Sequence, residues 1–290
     1  MSAPLRYCGR LFTPAELETL RALIAEHPEA NRAQLSRLAC ERLGWRAPDG
    51  RLKQMSCRVA MLRMQADALL ELPAPTTRNS NGQSYRRRTP QAEPPLFPIN
   101  APAGAWPDLQ LEPVFGRRPS HLWNEYIDRY HYLGYQPLPG AQLRYFARAG
   151  GDVLALLGFG AAAWKTAPRD RFIGWNAVQR ESHLHLVVNN ARFLILPWVR
   201  ARNLASRVLA MASRRLAQDW HAHYGYRPVL LETFVETPRF RGTCYKAANW
   251  IPLGETQGRG KLDVHHRAPL AKKAVWVYPL TADFRHTLCA

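Results

Sequence analysis

Three side chains stand where their type and setting could support chemistry. His131 follows a stretch of helical pattern and precedes a Gly/Pro-punctuated loop, a position suited to a general base or a ligand contact. The competing role is a structural histidine bonded to its own loop. Glu232 lies inside the apolar run LLETFV, where a buried carboxylate must be paired or protonated. It reads either as a catalytic acid/base or as the ion-pair partner of Arg180, Arg192 or Arg241. Tyr245, with Lys246 beside it, belongs to the segment GTCYKAANW, where core packing and a site role both fit.

Other groups carry weaker chemistry. His183 and His185 alternate with Leu184 and Leu186, which on a strand places both on one face. An exposed polar face fits that better than a metal seat. Asp170, Glu181, Glu232 and Glu236 are the carboxylates from which a metal-dependent nuclease would draw its ligands. The segment Gly254–Lys261, GETQGRGK, combines backbone freedom with the charges of Arg259 and Lys261 and reads as a phosphate-backbone contact. It lacks the strand-then-helix context of a nucleotide P-loop. Cys40 and Cys57 lack paired C-x-x-C spacing and read as small buried hydrophobes, so no metal site is expected.

The elements that must position these groups show in the hydrophobic pattern. Arg192–Leu196 is a short apolar run stopped by Pro197, and Leu204, Val208, Ala212, Leu216 and Trp220 then recur every fourth residue behind Asn203 as N-cap. Gly225 and Pro228 end that helix, and Val229–Val235 is a second strand. A strand–helix–strand unit with its helix packed on a sheet follows. Before it, Ser120 is placed to cap a helix through Tyr130. Leu143–Phe146 and Val153–Phe159 form a hairpin across Gly150-Gly151, and Asn189-Asn190 mark a tight turn after a strand at Leu184–Val188.

The fold class is therefore α+β. Residues 1–75 read as three short helices with tight connections, a helix-turn-helix or winged-helix module. Thr13 with Glu16 and Asn31 with Gln34 are capping pairs, and the third helix carries Met55, Val59, Leu62 and Leu69 as its apolar stripe. Residues 76–108 read as a Pro/Arg-rich linker, and 109–290 as the mixed-sheet domain.

A net charge of +18 points to a polyanionic partner, DNA first and an anionic membrane surface second. Arg58 and Arg63 on the third helix, Arg86, Arg87 and Arg88 in the linker, and Arg259 and Lys261 are the expected DNA contacts. No apolar run reaches the roughly 18 residues a membrane span requires. The absence of a signal-like start and the odd, scattered set of five cysteines fit a reduced, cytoplasmic setting.

Several ordered segments resemble the DruA family of the Druantia anti-phage system: HYLGY at 131–135, GFGAAAWK at 158–165, IGW at 173–175, NNARFLILPWV at 189–199, LLETFV at 230–235 and RGTCYKAANWIPLGETQGRGK at 241–261. That resemblance implies an association with defence or mobile DNA, and with other defence-system subunits as partners, but no defined reaction. The order of elements is also similar to the GNAT acyltransferases. There, a loop of pattern R/Q-x-x-G-x-G/A at a helix N-terminus holds the pyrophosphate of coenzyme A on its backbone amides. The matching positions are Arg200, Asn203 and Ala205, with asparagine replacing the usual glycine. Asparagine tolerates the left-handed backbone, although its side chain stands where a phosphate must approach. The resemblance implies acetyl-CoA or another acyl-CoA as cofactor and Tyr245 as proton donor to the departing thiolate. Three functions follow as expectations: a DNA-modifying transferase, a non-catalytic DNA-recognition subunit, and a metal-dependent nuclease or nickase.

Overall fold

In the computed structural model, which describes residues 5–48, 50–76, 88–258 and 271–290, the chain forms two units, Met1–Gln83 and Ser84–Ala290. The first opens with a hairpin of β1 (Leu5–Tyr7) and β2 (Arg10–Phe12), followed by α1 (Pro14–Glu26), α2 (Arg32–Arg42) and α3 (Gln54–Ala66). Both expected capping boxes form, with Thr13 and Glu16 bonding reciprocally at α1 and Asn31 and Gln34 at α2. Cys40 and Cys57 are buried, as expected.

Two expectations for this unit change. The α2–α3 connection is not tight: it runs from 43 to 53 and includes an antiparallel bridge between Arg46 and Leu52. The buried face of α3 is Cys57, Ala60, Met61 and Met64, whereas Met55, Val59 and Leu62 are exposed. Both sets have helical spacing, and the small residues Cys57 and Ala60 allow the close approach to α2 that the larger stripe would prevent.

The second unit begins with a segment that is packed rather than free. Thr89 donates from its amide and its hydroxyl to the Glu125 carboxylate at 2.6 and 2.9 Å, and Ala92 is fully buried. Then β3 (Ile99–Asn100) pairs in parallel with Val199–Arg200. Residues 88–108 are thus part of this unit and not linker. The backbone groups of 99–101 find partners on the second unit, which no periodicity in so short a stretch could signal.

Next come β4 (Gln110–Pro113), α4 (Arg117–Tyr130), β5 (Leu143–Ala149) and β6 (Asp152–Ala161), the last two joined at Gly150-Gly151 as expected. Gly116 rather than Ser120 precedes α4, and Ser120 instead accepts from Arg144 at 2.9 Å. At Gly158 an added Cβ would lie 3.0 Å from the Trp123 ring, so glycine permits α4 to seat on β6. Two short helices follow, α5 (Ala167–Ile173) and α6 (Ala177–His183), and then β7 (Val187–Ile195).

Strand β7 runs unbroken through Asn189 and Asn190, so the expected turn there is absent. Asn190 Nδ2 instead donates to Gly158 O and Arg192 O, bracing a register shift against β6. His183 closes α6 and His185 lies in a 3-10 turn, which removes the shared strand face argued for them. The Asn176–Gln179 capping box decides for helix over that short alternation.

After β8 (Val199–Arg200) comes α7 (Leu204–Tyr224), whose predicted stripe Leu204, Val208, Ala212, Leu216 and Trp220 is buried throughout. Gly225 ends it in the left-handed region, and β9 (Leu230–Glu236), α8 (Thr243–Ala247), β10 (Ile251–Glu255), β11 (Lys273–Pro279) and α9 (Phe284–Cys289) complete the unit. Among the described residues the sheet has seven strands in the order β10-β11-β9-β7-β6-β5-β4. The α+β expectation holds, and the crossover β7–α7–β9 is the strand–helix–strand unit that the hydrophobic pattern indicated. No helix among the described residues is long and apolar enough to cross a membrane.

Candidate functional site

The sheet splits at its centre. Strands β7 and β9 pair in parallel only from Val187–Asn189 to Leu230–Glu232, after which neither continues the pairing. Their remaining halves, 190–195 and 233–236, line a cleft of about 660 Å³. Because the sheet is open here, groups from both of its faces reach one cavity. Along β9, Leu231 and Val235 pack with the core of α7, while Leu230 packs with Ile173, Trp175 and Phe284 on the other face.

Two of the three expected catalytic residues meet in this cleft, and the third does not. Tyr245 projects from α8; its phenol donates to Asn190 Oδ1 at 2.8 Å and receives Thr233 Oγ1 at 3.4 Å. Burial pushes its pKa up, so the phenol holds its proton. His131 caps α4 and is buried in the wall, with its pKa pulled down to about 4 by desolvation and by the charge of Arg192. Its Nδ1 accepts the Leu133 amide at 3.2 Å, which leaves the proton of the neutral ring on Nε2. In this state His131 presents a donor and not a base.

Glu232 lies on the opposite face from Tyr245, by the alternation of β9, and is sealed from solvent. Its carboxylate meets Arg169 at 2.8 Å and the Ala163 amide at 2.7 Å. Arg169 in turn bonds Asp170, whose Oδ1 also receives Trp175 Nε1 at 3.1 Å. Burial pushes the Glu232 pKa up against the pull of Arg169. The ion-pair reading is therefore correct in kind and wrong in partner: Arg192 and Arg241 line the cleft, and Arg169 pairs with Glu232. With Glu232 and Asp170 both paired to Arg169, and Asp170 also 3.8 Å from Arg180, the acidic set suggested for a nuclease is not gathered around an open site. No group of three or more His, Cys, Asp or Glu able to hold a metal occurs among the described residues.

The expected cofactor loop lies at the start of α7. Asn203 has φ 64°, in the left-handed region that asparagine tolerates, and its side chain makes no cap bond. Ala205 lines the cleft; of the amides that open α7, Leu204 N donates to Ala201 O at 3.4 Å, while those of Ala205 and Ser206 have no acceptor within the helix. This backbone fits a pyrophosphate held at a helix N-terminus. Arg200 is exposed on β8.

Of the expected DNA contacts, Arg63 is exposed and Arg58 half-buried on α3, and Arg88 pairs with Asp128 at 3.2 Å. Arg86, Arg87, Arg259 and Lys261 lie outside the described residues.

The cleft adds residues that sequence reasoning passed over as site members, Arg192, Arg239, Arg241, Lys273, Tyr132 and Phe240, and it also holds Glu236, which the sequence suggested only as a nuclease ligand. Their signal was present in the polar stretch following LLETFV, but only the split sheet brings it against HYLGY. Cys244 also lines the cleft, and burial raises its pKa, which keeps the thiol unreactive.

The family model of the Druantia protein DruA matches residues 63–268. The chain belongs to the DruA family. The DruA match begins within α3, leaving most of the first unit before it, and takes in every described cleft residue except Lys273. No curated protein matches the chain. Solved structures similar to it include an N-acetyltransferase from Staphylococcus aureus Mu50, with 7% identity and TM-score 0.37, covering 59% of this chain and 97% of that one. A Bacillus subtilis acetyltransferase in complex with CoA has 8% identity and TM-score 0.36, covering 60% and 100%. FeeM, an N-acyl amino acid synthase from uncultured soil microbes, has 12% identity and TM-score 0.35, covering 63% and 95%.

Proposed function

We propose that this protein serves anti-phage defence as a nucleic-acid-directed acyltransferase, its second unit carrying the reaction and its first engaging DNA. The observation that carries the reading is the convergence on one cleft of Ala205, in the first turn of α7 behind the left-handed Asn203, and the proton-holding phenol of Tyr245. Bound acyl-CoA would supply a thioester acyl group and release a thiolate. The amides that open α7 would hold its pyrophosphate. Tyr245 keeps a proton at Oη, oriented by Asn190, in a buried setting suited to a general acid. His131 offers Nε2–H as a hydrogen-bond donor, and Glu236, the one carboxylate among the described lining residues, accepts a proton from the attacking nucleophile.

The first unit fits a DNA-contacting role of helix-turn-helix type through α3. Its outward face combines Lys53 and Arg63 with the exposed Met55, Val59 and Leu62, and apolar side chains on a recognition helix read thymine methyl groups. A formal charge of +18 supports the phosphate partner.

The test is intact-mass analysis of single- and double-stranded DNA incubated with the protein and acetyl-CoA, alongside calorimetric titration of coenzyme A. A discrete mass gain on full-length strands, lost with Tyr245→Phe, is the expected result. Shortened strands, or no binding of coenzyme A, would overturn it. Binding of DNA without either change would favour the recognition subunit, for which the +18 charge alone suffices.

A further inference from the structure

The α4 side of the cleft has a lip that neither the acyl-carrying role nor the core requires. Tyr132 is 36% and Phe240 46% exposed, yet their rings meet edge to face at 5.3 Å. Tyr132 is braced from below by the His131 ring at 4.8 Å and covered by the Arg239 guanidinium at 4.8 Å. Two aromatic rings held open to solvent at a cleft mouth lose apolar burial, and the bracing contacts keep them from collapsing into the core.

The charge around them is mostly positive. Arg192, Arg239, Arg241 and Lys273 line the cleft against the single described carboxylate, Glu236, which lies 3.9 Å from Arg239. Arg192 is half-buried, and its Nε has no hydrogen-bond partner. Lys273 stands directly opposite Glu236 in the β9–β11 register, and Arg241 has no salt bridge among the described residues. Cations flanking an exposed aromatic pair suit a ligand with a flat π-face and an attached anion, the make-up of a nucleotide in a strand.

Geometry then fixes the form of the nucleic acid. A cleft of about 660 Å³ inside a split sheet admits one base but not a duplex, so the base must be unpaired, either in a single strand or turned out of a helix. We propose that Phe240, held in place by its edge-to-face contact with Tyr132, forms a stacking face for an unpaired nucleobase, with Arg239, Arg241 and Lys273 taking the adjoining phosphates. This deepens the reading of the protein as acting on nucleic acid and rests on that reading for its biological purpose. The stacking itself does not depend on coenzyme A.

The test uses the full chain, without acyl-CoA, and oligonucleotides carrying 2-aminopurine as a single-stranded 20-mer, in a matched duplex, and at a one-nucleotide bulge. The single strand and the bulge should each lose 2-aminopurine fluorescence on binding, and the matched duplex should not. Phe240→Ala and Tyr132→Ala, both at exposed positions, should weaken single-strand binding roughly tenfold, with Phe240→Trp restoring it, because base stacking on an aromatic side chain contributes on that scale. Equal response of single strand and duplex, or wild-type quenching in both alanine variants, would overturn the site and leave binding by charge alone. A lip made for a peptide or a small amine would give no quenching with any oligonucleotide and overturn it too. Quenching without coenzyme A binding would keep the base site while removing the acyltransferase; the reverse result would remove only the base site.

Discussion

Arg169 Nη1 lies 2.8 Å from Glu232 Oε2, and both side chains are wholly withdrawn from solvent. The pair ties α5 to the middle of β9, and Asp170 and Trp175 complete it from the same segment. Removing one partner leaves an uncompensated buried charge, which destabilises by about 3–5 kcal/mol. Glu232→Ala is therefore expected to lower the unfolding free energy by that order, read from denaturant unfolding, and to lose activity only through unfolding. Glu232→Gln should be milder than Glu232→Ala, since its amide oxygen can still accept from Arg169. A Glu232→Ala protein of normal stability but no activity would return Glu232 to catalysis.

Stability should fall on mild acidification because of His131. Its pKa drops from 6.5 when unfolded to about 4 when folded, so between these values the unfolded chain binds more protons. The contribution is complete above about pH 6.5 and is lost as the pH falls toward 4, on the order of 3 kcal/mol across the window. His131→Asn, which keeps an acceptor for the Leu133 amide, should flatten that slope. Urea midpoints between pH 7 and 4.5 check it, and an unchanged slope in the variant would assign the acid sensitivity elsewhere.

Gly242 opens α8 and so sets the position of Tyr245. It has φ 68°, and an added Cβ would lie 2.9 Å from the Trp276 ring. Gly242→Ala combines left-handed strain with overpacking and should destabilise by roughly 2–4 kcal/mol. Thermal unfolding reads the loss, and Trp276→Leu in the same chain should recover part of it by making room.

Much of the second unit was legible because its longest signals are unambiguous. A five-member stripe from Leu204 to Trp220 admits one helical phase, and Gly225 and Pro228 admit one end. The phase of α3 was not legible, since Met55, Val59 and Leu62 and the buried Cys57, Ala60, Met61 and Met64 both have helical spacing and both contain methionine. Their placement predicts that Met55→Lys changes stability by no more than about 0.5 kcal/mol, while Met61→Ala costs about 2–5 kcal/mol. For the site, His131 and Tyr245 could be picked out as single residues. The partner of Glu232 could not, because Arg169 is 63 positions away and reaches it only through the sheet. The cationic, aromatic wall was hidden for the same reason: Tyr132 and Phe240 meet only once β7 and β9 diverge.

Asn203 separates backbone fitness from ligand fitness at the α7 terminus. Its φ of 64° is accessible to asparagine and glycine, while a β-branched side chain there is strained by about 1–2 kcal/mol. Asn203→Val should lower the melting temperature and disturb the turn, and Asn203→Gly should leave the fold within about 1 kcal/mol of the parent. The two variants diverge on coenzyme A. Glycine keeps the turn and removes the side chain from the path of the pyrophosphate, so affinity should rise several-fold by calorimetric titration. Valine should lose binding along with the turn. If glycine leaves affinity unchanged while valine abolishes it, the turn is needed but the asparagine side chain never met the phosphate. If neither variant nor the parent binds, the amides of α7 hold no pyrophosphate, and the cleft is left to its aromatic lip and its cations.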